Sequence, residues 1–373
     1  HGAAWHEGEY GMKTEARVVV IGGGVVGCSV LYHLTKLGWS DVMLIERSEL
    51  TSGSTWHAAG GFHTLNGDTN MAALQGYTIG LYDELEKITG MSCGLHHVGG
   101  LHLAERPERL DMMKAERGKH RYMGLHTEIL TPDEIKEKAD FVDTDGILGA
   151  LYDPLDGHLD PSGTTHAYAK AARMGGAEIV IQNRVLETNP RADGSWEVVT
   201  EKGTVIAEHV VNAGGLWARE VAAMAGVYLP LLPMAHQYLV TEAIPEVAAL
   251  DKEPPVLRDP RASCYYRQEH DGLGIGPYEM EGSQTYGLDG IDWDLAVHLE
   301  PPSLDRLMDS LGLAAERIPA VADAGIKQVI HGPITHTPDA GYLMGPAPGL
   351  RNYWYCLGAS IGITQGPGAG KYL

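Results

Sequence analysis

Between Ala16 and Ile21 the chain is apolar and rich in β-branched residues (ARVVVI), a run that predicts a strand buried on both faces. From Val25 to Leu37 apolar positions recur at helical spacing and stop at Gly38, so this stretch is predicted as a helix. Asp41 to Ile45 (DVMLI) is a second apolar run, and it ends on Glu46. Strand, helix and strand fit within about thirty residues, the length of a right-handed parallel crossover.

The helical period returns from Met71 to Thr89, Arg106 to Gly118, Pro132 to Ala139 and Thr164 to Met174, the last entered through Ser162-Gly163. Strands are predicted at His97 to Ala104, Glu178 to Ile181, Trp196 to Thr200 and Glu208 to Val211. Asp193-Gly194 marks a turn before the third of these. The fourth runs into Asn212-Ala213-Gly214-Gly215. Tyr238 to Gly276 alternates as strands with Pro-rich turns, and Ser303 to Leu313 reads as a helix. Gly358 to Leu373 reads as a glycine-rich turn entering a last helix, and there is no internal repeat or low-complexity tract. The order α/β, mixed, α/β predicts a Rossmann-like α/β domain that the chain leaves to build a mixed or antiparallel sheet, and to which it returns.

The first crossover carries the chemistry. Gly22-x-Gly24-x-x-Gly27 sits between the predicted strand and helix. There the first glycine permits a tight turn, the second lets backbone approach a pyrophosphate, and the third lets helix pack on strand. The helix start at Val25 and Val26 then presents free N–H groups and a dipole to phosphate. Glu46, 19 residues past Gly27 (46 − 27), stands where an acid bonds ribose hydroxyls. Together these features predict a dinucleotide site, and they leave FAD and NAD both open.

Composition narrows the partners. With 28 basic and 49 acidic residues the formal net charge is −21, which argues against a nucleic-acid partner. No apolar run approaches the ~20 residues of a membrane span, and His1 to Gly11 is too polar for a signal peptide, with Met12 as the expected natural start. Cys28, Cys93, Cys264 and Cys356 lie far apart without zinc or disulfide spacing. A soluble protein of a reducing compartment, with no metal, is the expectation. Glycine, at 48 of 373 residues, stands well above the usual ~7%, and its clustering points to backbone lying against a ligand.

The string Ser52-Gly53-Ser54-Thr55-Trp56-His57-Ala58-Ala59-Gly60 closely resembles the dimethylglycine and sarcosine dehydrogenases of the D-amino-acid-oxidase-like flavoproteins. The resemblance runs through nearly the whole chain. It extends to Asp156-Gly157-His158-Leu159-Asp160-Pro161, to Val211-Asn212-Ala213-Gly214-Gly215-Leu216-Trp217-Ala218, to Ala235-His236-Gln237-Tyr238, and to Tyr265-Tyr266-Arg267-Gln268-Glu269. Gly332-Pro333-Ile334-Thr335 to Pro338-Asp339, then Gly358 to Lys371, look like the closing flavin segment. The resemblance implies FAD, attached covalently through His57. It implies cofactor contacts at Gly22, Gly24, Val25, Val26, Gly27, Glu46, Arg47, Ser52, Ser54, Thr55, Ala58, Ala59, Gly60, Val185, Asn212, Ala213, Gly214, Trp217, Gly332, Gly358, Gly362, Ile363 and Thr364. It divides the chain into an FAD-binding domain (12–90, 155–232 and 328–373) and a substrate domain (91–154 and 233–327).

The implied reaction is oxidative N-demethylation of a small methylated amino acid. Hydride passes to flavin N5, and the resulting iminium yields formaldehyde or a one-carbon unit held by tetrahydrofolate on a C-terminal part absent from this chain. The electron acceptor is oxygen or electron-transfer flavoprotein, and the compartment is the bacterial cytoplasm or the mitochondrial matrix. His236 is the candidate proton acceptor, Tyr265 an orienting group and Arg267 a carboxylate clamp. Each has an ordinary alternative: a strand histidine bonded to backbone, an aromatic filling a sheet, a surface ion pair.

Departures from the family are few. Cys264 and Tyr265 stand where two tyrosines are usual, and Tyr266 replaces a leucine, so which tyrosine faces the flavin stays open. His331 to His336 lacks the cysteine that tethers flavin in monomeric sarcosine oxidases, which favours His57. Other readings are a different amine or amino-acid oxidase of the same fold, and a non-catalytic flavin-binding subunit of a larger complex.

Overall fold

The computed structural model describes residues 11–279, 283–358 and 360–373. The polar lead up to residue 10 and Ala359 of the closing turn, on which expectations were placed, lie outside them.

Ala16 to Ile21 is a strand, running Glu15–Ile21, and it occupies the middle of the first sheet. It pairs in parallel with Val42–Ile45 on one side and Gly203–Asn212 on the other. Glu178–Val180 and Tyr353–Leu357 extend the parallel array outward. Leu343–Pro346, Trp196–Thr200 and Val185–Pro190 add antiparallel edges. Side chains alternate between two cores. Val18 and Val20 meet the helices Val25–Lys36, Thr69–Thr89, Pro161–Met174 and Gly362–Tyr372, while Val19 and Ile21 meet Trp196, Val210 and Tyr353. Burial on both faces explains the unbroken apolar run.

The second sheet runs Gln284–Thr285, Leu232–Thr241, Gly272–Pro277, Cys264–Glu269, Val256–Asp259, Gly100–Ala104, Gly149–Asp153, Glu128–Leu130, with Ile326–His336 also on Leu232–Thr241. All its pairs are antiparallel except Val256–Asp259 with Gly100–Ala104. One face buries Leu101, Leu257, Tyr266, Ile275 and Ala314. The other face looks toward the C-terminal ends of the first sheet's parallel strands.

Several boundaries move for local reasons. The helix expected from Thr164 begins at Pro161, because Asp160 accepts a hydrogen bond from Ser162 N–H and proline suits the first helical position. The helix expected over Ser303–Leu313 is a short 3₁₀ turn, Leu304–Arg306, followed by Met308–Arg317. His97–Ala104 shortens to Gly100–Ala104, and Glu208–Val211 lengthens to Gly203–Asn212. The strands Ile326–His336 and Tyr353–Leu357 went unpredicted: glycine, proline and histidine blur the alternation of the first, and the second is a five-residue apolar run too short to show a period. Ile326–His336 also bears on domain division. It bonds along Leu232–Thr241 from Ile326↔Thr241 to His336↔Leu232, so residues 328–336 belong to the second sheet and not with the nucleotide unit.

Candidate active site

The two sheets enclose one long cleft. Its floor is the glycine turn, where the central strand has neighbours leading in opposite directions, the usual place for a ligand in an open α/β sheet. Gly22 has φ +117°, and a Cβ there would collide with the Ala213 carbonyl. A Cβ on Gly27 would strike the Gly22 carbonyl, so Gly27 shapes the turn without lining the cleft. Glu46 is buried and accepts from Gly23 N–H (2.7 Å) and Ser48 N–H (2.9 Å), one on each carboxylate oxygen. Each oxygen keeps a lone pair for a further donor. Burial pushes the Glu46 carboxyl above its usual range, against those two hydrogen bonds.

Two helix starts face the cleft: Val25–Lys36 and Gly362–Tyr372. Neither has a side-chain cap, whereas Asp68, Thr131 and Asp160 cap helices elsewhere. The first turns therefore offer backbone N–H groups to a ligand. Val25 N–H donates to Thr55 Oγ1 at 3.2 Å, and Tyr82 holds the other helix by donating to the Ile363 carbonyl.

The Ser52–Gly60 loop wraps the middle of the cleft. Ser54 Oγ donates to the Pro333 carbonyl (2.7 Å), fixing the loop to the Ile326–His336 strand. His57, 7% exposed, lies flat against Gly332, where a Cβ would come within 2.8 Å of its Nε2. Burial, with His331 adding to it, lowers the His57 pKa to about 4, so the ring is neutral at physiological pH. The ring therefore keeps a free lone pair beside the cleft.

The second sheet forms the opposite wall. Strand alternation sends His236 and Tyr238, Val256 and Arg258, and Tyr265 and Arg267 into the cleft. Leu239, Leu257, Cys264 and Tyr266 go to the core behind. Of the two tyrosines, Tyr265 lines the cleft and Tyr266 does not. His236 stacks on Tyr278 (5.2 Å, 23° between planes). Burial first, then the neighbouring His336, His57, Arg306 and His331, lower His236 to about 4. Arg267 is tied to Glu269 at 2.6 Å and reaches the Gln268 carbonyl. Arg258 has no ion-pair partner among the described residues, and its buried Nε has no hydrogen-bond partner.

The structure brings most of the residues expected at the site into one cleft. Gly22, Gly24, Val25, Val26, Glu46, Arg47, Ser52, Ser54, Thr55, His57, Ala58, Ala59, Gly60, Ala213, Gly214, Trp217, Gly332, Gly358, Gly362, Ile363 and Thr364 all line the cleft, as do His236, Tyr265 and Arg267. Gly27, Val185 and Asn212 do not. Asn212 works from behind, bonding the Ala218 carbonyl and receiving Gly214 N–H at 3.0 Å. Val185 lines a small adjoining hollow with Glu46, Arg47 and Trp217. Arg47 stacks on Trp217 (3.6 Å) and donates to the Trp293 carbonyl, pinning that segment over the hollow. Arg258, His63, Tyr238 and Tyr278 were missed as site residues. Only period-2 alternation around Tyr265 and Arg267, carried across to the neighbouring strand, could have pointed to Arg258.

A glycine-cradled, N–H-rich floor with an acid at the ribose position fits a dinucleotide, and the opposing wall leaves room for a reacting ring. The FAD dependent oxidoreductase (DAO) profile matches residues 17–373, and the chain belongs to this family. It is 43% identical over 365 residues to the mitochondrial dimethylglycine dehydrogenase of Rattus norvegicus, covering 97% of this chain and 43% of that protein. It is 36% identical over 378 residues to the mitochondrial sarcosine dehydrogenase of Mus musculus, covering 97% of this chain and 39% of that one. The chain therefore spans less than half the length of these relatives. Among solved structures, the L-proline dehydrogenase from P. horikoshii superposes with a TM-score of 0.84 at 26% identity, covering 96% of this chain and 92% of that one.

Proposed function

We propose that this chain is the flavin-bearing part of an enzyme that oxidatively demethylates a small N-methylated amino acid of the dimethylglycine or sarcosine type. The observation that carries the proposal is the single cleft in which His57 and the nucleotide turn face Arg258, His236 and Tyr265. Identity to proteins named for those two substrates supports the same substrate class.

The glycine turn, Glu46 and the two helix starts would hold FAD, with His57 as its attachment point, and the bound cofactor would supply a two-electron oxidant for an N-methyl C–H bond. Arg258 pairs with the substrate carboxylate, a charge-assisted contact in a site shielded from water. The same guanidinium and the proton-averse histidines around it disfavour a second cation. The substrate ammonium is thereby pressed to give up its proton, freeing the lone pair that oxidation needs. His236, neutral and facing the cleft, organises the departure of that proton as a hydrogen-bond acceptor without holding it, and Tyr265 orients the amine. Water then adds to the oxidised N-methyl carbon and the C–N bond breaks, giving formaldehyde and the demethylated amine, unless tetrahydrofolate captures the one-carbon unit first. Electrons go on to oxygen or to electron-transfer flavoprotein, in the cytoplasm or the mitochondrial matrix. The domain division stands within this proposal, with residues 328–336 moved to the substrate side.

Anaerobic mixing with dimethylglycine, sarcosine, glycine and proline tests the reading. Methylated substrates should bleach the flavin at least ~10-fold faster than the unmethylated ones. A flavin that none of them reduces would instead favour a non-catalytic subunit. Acid precipitation of His57→Ala should leave the colour in the supernatant, while the unaltered chain keeps it in the pellet.

A further inference from the structure

Outside the cleft, His96, His158 and Glu253 form a cluster that no step above uses. His96 and His158 face each other across an isolated antiparallel bridge, exchanging backbone hydrogen bonds of 2.9 and 3.1 Å. Their rings stack with centroids 4.5 Å apart and planes at 12°. Glu253, on the loop ahead of the Val256–Asp259 strand, reaches both rings. Its carboxylate oxygens lie 2.6 Å from His96 Nδ1 and 2.5 Å from His158 Nε2. One donor atom from each residue lies within 4.8 Å of the other two.

Two imidazole nitrogens and a carboxylate converging from three separate segments are a ligand set suited to a borderline-soft divalent ion. We propose that His96 Nδ1, His158 Nε2 and the Glu253 carboxylate bind a zinc-class divalent cation, with water as fourth ligand on the open side. That side is set by exposure: the His96 side chain is 49% exposed and Glu253 24%, while His158 is 9% exposed. Donors around a tetrahedral zinc stand about 3.4 Å apart at bond lengths near 2.0–2.1 Å. To admit the ion the carboxylate draws back by roughly 0.8 Å from each ring, and the two stacked imidazoles rotate so that their lone pairs converge on it.

The placement gives the ion a structural task. His158 belongs to the short strand Gly157–His158, paired with Gly61–Phe62, and Gly61 lines the cleft. Glu253 leads into the strand that carries Val256 and Arg258 on the opposite wall. The ion would clip the two walls together at their outer seam. The ligands are 95 and 157 residues apart in sequence, so no spacing motif announces them. The expectation of no metal rested on cysteine spacing, which does not bear on this set.

The test uses the whole chain with its flavin, stripped of metals by chelator and dialysed, and does not depend on the proposed activity. Zn²⁺ is titrated in competition with a chromophoric chelator, and Co²⁺ is followed by its visible d–d bands on the red side of the flavin spectrum. One equivalent should bind, with tetrahedral-type Co²⁺ bands. Zn²⁺ should also raise the thermal midpoint of the unaltered chain. His96→Ala and Glu253→Gln should each weaken binding at least tenfold and abolish both the bands and the Zn²⁺-dependent stabilisation. His97→Ala, an exposed neighbour outside the cluster, should change none of these. The proposal is overturned if the unaltered chain takes up no ion at micromolar concentration. Equal affinity in His96→Ala or Glu253→Gln would overturn it as well.

Discussion

The two walls of the cleft are built from different materials. The nucleotide wall is backbone: a glycine turn, two uncapped helix starts, and one carboxylate whose role begins with holding the turn. The substrate wall is side chain: His236, Arg258, Tyr265 and Arg267 projecting from antiparallel strands. A backbone site tolerates almost no added atoms, because its groups cannot move aside. A side-chain site loses one function at a time. Substitutions on the first wall should therefore be all-or-none, and those on the second graded.

The largest expected effect is at the turn. Gly27→Val forces carbon into the Gly22 carbonyl and should cost more than about 4 kcal/mol, giving little soluble yellow protein. The matched test is Gly276→Ala, whose new methyl meets the Tyr265 ring instead of backbone. It should retain flavin and lose only turnover, read as absorbance against kcat. Loss of flavin in Gly276→Ala would erase the distinction between the walls. Next comes His236→Ala, which should slow flavin reduction by substrate by ~10²–10⁴-fold while leaving the cofactor attached. Stopped-flow rates unchanged from the unaltered chain would remove His236 from the reaction.

The arginines sharpen the comparison further. Arg258→Met should raise KM for the carboxylate-bearing substrate by about 10–100-fold, the worth of a lost charge-assisted hydrogen bond. Arg267→Met, already paired with Glu269, should move it by less than roughly threefold. The reverse ranking would return the clamp to Arg267.

The smallest effect is on stability. His33, His57 and His236 each have a folded pKa lowered from the usual 6.5 to about 4, chiefly by burial. The unfolded chain binds these protons first as pH falls, so their contribution is intact above pH 6.5 and is lost progressively down to about 4. His33 is clear of the cleft. Its Nδ1–H donates to the Ser29 carbonyl, leaving Nε2 to accept from Tyr77. His33→Gln should flatten the fall of thermal midpoint between pH 6.5 and 4 by on the order of 5 °C in a calorimetric series.

The difference between the walls also decides what could be read beforehand. Gly22, Gly24, Gly27 and Glu46 were legible because a ligand-hugging backbone demands glycine at fixed offsets. The His57 string was legible only through family resemblance. Arg258 was not, since an arginine in a strand looks the same whether it faces solvent, an acid or a cleft. Nor was the Ile326–His336 strand, whose pairing partner lies almost a hundred residues upstream. The cofactor half was thus readable from local rules, while the substrate half depended on which strand lies beside which.

That long ladder has a final implication. His236 stands opposite Gly332, and Gly332 is the residue His57 rests against. The separation between His236 and His57 is therefore counted off in strand pairs, like teeth in a zip. Lengthening the irregular segment between residues 286 and 303 leaves that count intact, whereas inserting a single residue within 326–336 would bring a side chain against His57. Length variation among natural versions of this chain should accordingly gather in that segment and spare the ladder.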